Sequence, residues 1–196
     1  MSTIGLDKLY FADITEASGT GYETYGNPYA APGAQQANFS INTVKTRNYA
    51  DDGIFEQVEE FVDGTITLQV AELGTALASK LTGARTDGNG VLISAEDDKA
   101  PAVAVGFRSL RADHTYEYIW LYRVVFGIPQ HNYQTKGENI TFQNSTIEGT
   151  ISRRKKPDVA DKNPWRAQGN PGSVSSTVLD DWFDAVYEPA AVPTTP

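Results

Sequence analysis

Residues able to do chemistry are few in this chain, and their spacing suits no common reaction. The 196 residues include no cysteine, which removes thiolate nucleophiles, thiolate metal sites and disulfides together. Two histidines, His114 and His131, are a small stock for acid–base catalysis or metal ligation. A Ser-His-Asp arrangement needs a positioned serine, and no G-x-S-x-G elbow occurs. Thr20-Gly21-Tyr22 lies among glycines, but there is no G-x-x-x-x-G-K-[ST] loop to cradle a phosphate. Asp51-Asp52 and Glu96-Asp97-Asp98 offer oxygen ligands of the kind a hard cation takes, without the spaced pattern of a calcium loop, and read as solvated turns. Carboxylate pairs for glycoside hydrolysis exist in any acidic chain, and nothing singles one out. The expectation is a protein with no catalytic residue, no metal and no cofactor.

Charge narrows the partners. A formal net charge of −9 is the wrong sign for gripping a phosphate backbone. The one basic cluster, Arg153-Arg154-Lys155-Lys156, reads as a solvated strand end or a contact with an acidic neighbouring subunit rather than a nucleic-acid site. No apolar run approaches the roughly 20 residues of a membrane span, and the start MSTIGLDKLYFADIT lacks the form of a secretory signal, so no membrane is expected.

Strand patterns dominate the elements that would have to position such residues. Ile66, Leu68 and Val70 alternate with Thr65, Thr67 and Gln69, the period-2 signature of a half-buried strand, and Val103, Val105 and Phe107 repeat it. Residues 116–126 are apolar on both sides: Tyr116, Tyr118, Trp120, Tyr122, Val124 and Phe126 on one, Ile119, Leu121 and Val125 on the other. Such a strand is central in a sandwich or covered by another subunit, which makes Tyr118, Trp120 and Tyr122 interface candidates. Their rings could alternatively form a platform for sugars. A change of phase between Ile140/Phe142 and Ile147/Gly149/Ile151 predicts a bulge.

Two helices interrupt the strands. Leu73, Leu77 and Leu81 form one stripe of a short helix capped by Gly83. A second helix is predicted over 174–187, capped by Ser173 and stopped by Pro189, with Val178, Leu179, Trp182, Phe183, Val186 and Tyr187 on one face. Burying those six side chains stabilises by roughly 9–18 kcal/mol as an upper estimate, so Trp182, Phe183 and Val186 should anchor this segment to the sheet. Residues 20–36 and 155–172 read as loops, the latter anchored by Trp165, and Asp87-Gly88-Asn89-Gly90 as a turn.

Residues 43–63 ask for a separate explanation. Their length suits a hairpin arm or long loop leaving a body that spans 1–189, with 190–196 a flexible tail. Asp51, Asp52, Glu56, Glu59, Glu60 and Asp63 crowd this stretch, and no cation follows Arg47 within it. The acids disfavour a compact isolated hairpin, so the arm is expected to find its order in assembly, with Asp51, Asp52, Phe55, Val58 and Phe61 meeting a neighbour.

The order of segments resembles a known family. Ile4-Gly5-Leu6-Asp7-Lys8-Leu9-Tyr10, Tyr49-Ala50-Asp51-Asp52-Gly53, Gly64-Thr65-Ile66-Thr67-Leu68, Val105-Gly106-Phe107-Arg108-Ser109, Tyr118-Ile119-Trp120-Leu121-Tyr122, Tyr133-Gln134-Thr135-Lys136, Asp181-Trp182-Phe183 and Val186-Tyr187 together resemble the major tail tube proteins of long-tailed phages of Gram-positive bacteria. No single motif is diagnostic; the likeness lies in their succession between about residues 4 and 188. It implies a mainly β sandwich or barrel with a helix on its flank, hexameric rings stacked into a tube through which DNA passes, and no catalysis or cofactor. The implied partners are further copies of the chain, the tape measure and tail terminator proteins, and DNA in transit.

Overall fold

A computed structural model describes residues 3–50, 53–131, 133, 135 and 144–190, with the backbone alone for 48–50 and 53–56. The predicted bulge near Ile140 and Phe142, the pair Asp51-Asp52 and the tail beyond 190 therefore lie outside the described residues, as does the side chain of Phe55.

Strands prevail, as the alternating patterns require. In chain order they are β1 (Thr3–Glu16), β2 (Glu23–Tyr25), β3 (Tyr29–Ala31), β4 (Ala34–Ala50) and β5 (Gly53–Val70). After helix α1 (Thr75–Thr82) come β6 (Arg85–Thr86), β7 (Leu92–Ile93), β8 (Ala102–Arg111), β9 (Tyr116–Phe126), β10 (Gln130–His131), β11 (Ser145–Ile151), β12 (Arg166–Gly169) and helix α2 (Ser176–Asp180). The principal sheet runs β2-β1-β8-β9-β11-β5-β4, antiparallel at every junction, and β6–β7 is a separate hairpin. It curls until Phe39 of β4 approaches Phe107 of β8, ring centroids 6.4 Å apart, across a core built from Leu9, Phe11, Ile66, Leu68, Val105, Leu121 and Ile147.

Segment 20–36, expected to be irregular, contributes β2 and β3, which pair with β1, and the start of β4. Helix α1 ends as expected at Gly83, whose φ of 77° and close approach to the Lys99 carbonyl exclude a β-carbon.

Two expectations about faces and helices are corrected. Val103 of β8 pairs with Val124 of β9 and Val105 with Leu121, so Ala104 alone stands against Tyr122 and Arg123. The extra residue is a bulge at Tyr122-Arg123, and it reverses the phase of the strand. Tyr118, Trp120 and Tyr122 consequently face one side, whereas Val124 and Phe126 join Ile119 and Leu121 in the main core. The predicted helix over 174–187 is reduced to α2, capped at Ser175 rather than Ser173, and followed by tight turns. The Trp182 and Tyr187 carbonyls accept hydrogen bonds from Trp120 Nε1 (2.9 Å) and Tyr122 Oη (2.8 Å), so a side chain of β9 takes, at Trp182, an acceptor that a continuing helix would use. Leu179, Trp182 and Val186 still bury themselves on the sheet, and Phe183 stacks on Tyr10 at 4.6 Å.

Candidate assembly surfaces

The β4–β5 hairpin outgrows the sheet that carries it. Its body half pairs Ile41 with Gly64 and Phe39 with Ile66, placing these residues on the core side. β11 accompanies β5 only from Gly64 to Val70, so from Asp63 towards the tip β4 and β5 form a two-stranded ribbon with no further described partner on either edge. From Thr43 to Ala50, at about 3.4 Å per residue, the ribbon extends roughly 25 Å.

The register also answers the charge question raised by the arm. Lys45 stands opposite Glu59 and reaches it at 3.5 Å, and Arg47 stands opposite Gln57, Nε to Oε1 3.2 Å. Thr43 Oγ1 bonds Glu59 Oε1 at 2.6 Å, which with Lys45 holds that carboxyl below the ordinary glutamate range. Glu59 is therefore not without a local cation: Lys45 arrives on the partner strand, which a count along the chain cannot reveal. Val44 (55% exposed) and Val58 (45%) lie on the opposite face of the ribbon. Phe61 is not presented to a neighbour alone, because its ring stacks on Trp165 of the same chain at 4.8 Å and 7°.

The aromatic face of β9 is closed within the chain. Trp120 and Tyr122 are 0% exposed and Tyr118 is half-buried, covered by Leu179, Trp182 and Val186. This corrects the reading of Trp120 and Tyr122 as interface residues, and these two buried rings cannot serve as a sugar platform. Burial also raises the Tyr122 phenol well above its ordinary range.

The basic run is likewise used internally. Glu23 is 0% exposed; its Oε2 accepts the backbone N–H groups of Lys155 (2.7 Å) and Lys156 (2.9 Å), and its Oε1 meets Arg123 at 3.1 Å. Arg154, 1% exposed, pairs with Glu188 at 2.8 Å and lies over the Tyr122 ring. Lys155 pairs with Glu16, Lys156 with Glu188, and Arg153 donates to the Phe61 carbonyl. These partners lie far apart in sequence, so no local signal pointed to them.

One pair with catalytic overtones emerges that the sequence did not suggest: His131 Nδ1 lies 3.0 Å from Ser145 Oγ. The two are directly opposed in the β10–β11 ladder, and among the described residues no carboxylate orients the imidazole. Among those residues, too, no group of three or more His, Asp or Glu side chains converges as a metal site would require, and no helix is long and apolar enough to cross a membrane.

The outer face of β11-β5-β4 is lined by polar side chains. Across it run Ser40–Thr65–Thr150, Asn38–Thr67–Glu148 and Gln36–Gln69–Thr146. Glu148 is the one charge in these rows, which contain no Lys or Arg.

A family model described as phage tail tube protein matches residues 1–163. No curated protein matches the chain. Similar solved structures include the cap terminating the tube of the anti-feeding prophage (8% identity, 82% of this chain and 87% of that one, TM-score 0.42) and a sheath–tube complex of an extracellular contractile injection system in the extended state (7%, 82% and 88%, TM-score 0.39). A third is from the baseplate of the anti-feeding prophage (9%, 86% and 97%, TM-score 0.37).

Proposed function

This chain belongs to the phage tail tube protein family, and on that premise we propose that it is the repeating subunit of a phage tail tube, assembled as stacked six-membered rings through which DNA leaves the virion. The observation that carries the reading is the β4–β5 ribbon. Its two edges, unpaired among the described residues, are a template for pairing with another chain, and isolated two-stranded ribbons gain stability from such cover. Val44 and Val58 supply apolar surface on the same element.

The polar face of β11-β5-β4 supports the conduit role. Polyanionic DNA is held by multiple Lys/Arg–phosphate contacts, each adding a counterion-release contribution; a wall of Thr, Ser, Asn and Gln offers none. The role needs neither catalysis nor a cofactor. Its partners are other copies of the chain, with tape measure and terminator proteins at the ends of the tube, in a virion tail built in the host cytoplasm.

Negative-stain microscopy of the purified protein tests the reading directly, with rings or tubes expected. A variant lacking residues 50–60 should keep the circular dichroism of a folded body and form no tubes. Normal tubes from that variant would remove the arm from assembly, and loss of the folded body would place the segment in the core.

A further inference from the structure

We infer that Arg153 and Trp165 form a clamp that fixes the angle at which the β4–β5 arm leaves the body, making both positioning residues for assembly; the assembly part rests on the function proposed above. The clamp acts where the ribbon is most able to bend. Asn42 pairs with Asp63 but Thr43 with Phe61, leaving Val62 as an extra residue in β5. A bulge of this kind bends and twists its strand, and β11 no longer supports β5 beyond Gly64.

Phe61, the first residue past the bulge, is gripped twice. Its ring lies parallel to Trp165 at 4.8 Å, and its carbonyl accepts from Arg153, whose guanidinium sits 5.7 Å from the same ring. The gripping residues are themselves fixed to the body. The Trp165 carbonyl accepts from Tyr122 N at 3.0 Å, joining it to β9. Arg154 N bonds the Pro164 carbonyl at 3.1 Å, and Asn163 Nδ2 bonds the Arg154 and Lys155 carbonyls at 3.1 and 2.9 Å, which closes the 153–165 loop on itself. Buried Glu23 and the Arg154–Glu188 pair then bolt that loop to β2 and to the C-terminal segment. A bend left to the ribbon alone would be soft; these contacts give it one setting.

The absence of cysteine makes the test clean, because two introduced cysteines carry the only spin labels. Labels at Val58→Cys on the arm and Asp97→Cys on the body report the arm angle as a distance distribution by double electron–electron resonance. Arg153→Gln, at an exposed position, and Trp165→Ala are expected together to widen that distribution at least twofold and to slow tube formation at least tenfold. Trp165→Phe, which keeps a stacking ring, should restore most of both. Circular dichroism and melting of each variant separate loosening of the arm from unfolding of the body, and Arg153→Gln alone should widen the distribution without lowering the melting temperature. An unchanged width in folded variants overturns the clamp. A widened distribution with tubes forming at the parental rate overturns its part in assembly. Tube formation is followed in the unlabelled proteins, since Val58 lies on the assembly surface; an unlabelled parent that forms no tubes overturns the tube reading instead, while the width still decides whether the clamp exists.

Discussion

The indole of Trp120 lies across Gly106 on the neighbouring strand, so close that a β-carbon on Gly106 would come within 2.6 Å of the ring. Gly106 is thus the space into which the largest buried side chain of the sheet fits. Gly106→Ala is expected to destabilise the subunit by about 1–3 kcal/mol, the usual cost of overpacking. A denaturant midpoint unchanged from the parent would show that the ring can move aside.

Trp182 closes the same face from above, 3% exposed, with its ring 5.0 Å from Tyr187 and 5.9 Å from Tyr118. Trp182→Ala should cost about 3–5 kcal/mol in equilibrium unfolding. A loss below about 1 kcal/mol would mean that the C-terminal segment is detachable.

Glu23 offers a different kind of core test. Its truncation leaves two backbone donors and part of the Arg123 guanidinium without their buried acceptor. Glu23→Ala should therefore destabilise by about 3–5 kcal/mol, the range for breaking a buried pair from one side. Urea unfolding measures it, and a near-neutral result would show that water replaces the carboxylate.

Acid should loosen the arm's cross-strand pairing at Glu59. The Thr43 hydroxyl and Lys45 hold the folded carboxyl below the unfolded value of about 4.3. A depressed folded pKa contributes stability above the unfolded value, and that contribution is lost as pH falls through the folded one. NMR titration of the Glu59 side-chain carboxyl should give a midpoint below about 4.3 that rises in Thr43→Val. Coincident midpoints in the two proteins would remove the threonine from the account.

Addition of chelator or calcium is expected to leave the melting curve unchanged. A clear shift with calcium would return Asp51-Asp52 and Glu96-Asp97-Asp98 to consideration as ligands.

Much of the framework was legible in residue order. The alternation at Ile66, Leu68 and Val70 places β5, and Gly83 ends α1. What escaped depends on partners distant in sequence. The bulge at Tyr122-Arg123 follows from registry with β8 and divides residues that strict alternation would group on one face. Beyond the short C-terminal helix, Trp120 and Tyr122 bond the Trp182 and Tyr187 carbonyls, and those donors lie some sixty residues earlier. The basic run read as surface because Glu23, its buried counterpart, carries no local mark of its burial. Periodicity reports what an element can do alone; these are decisions made by its neighbours.

The registry of the sheet also sets a timetable for folding. β1 pairs with β8, where Leu6 stands opposite Ser109, and that closure must wait for a loop of about a hundred residues to be brought together. β4 and β5 are adjacent in the chain, and hairpins of that kind form in about 1–10 μs. The arm is accordingly expected to be among the first parts to acquire protection in pulsed hydrogen exchange, with β1 and β8 later. Protection of β1 and β8 before β4 and β5 would contradict this order. A newly made subunit would then display the ribbon of β4 and β5 before β1 has joined β8, so its yield should depend on how dilute the folding chains are kept.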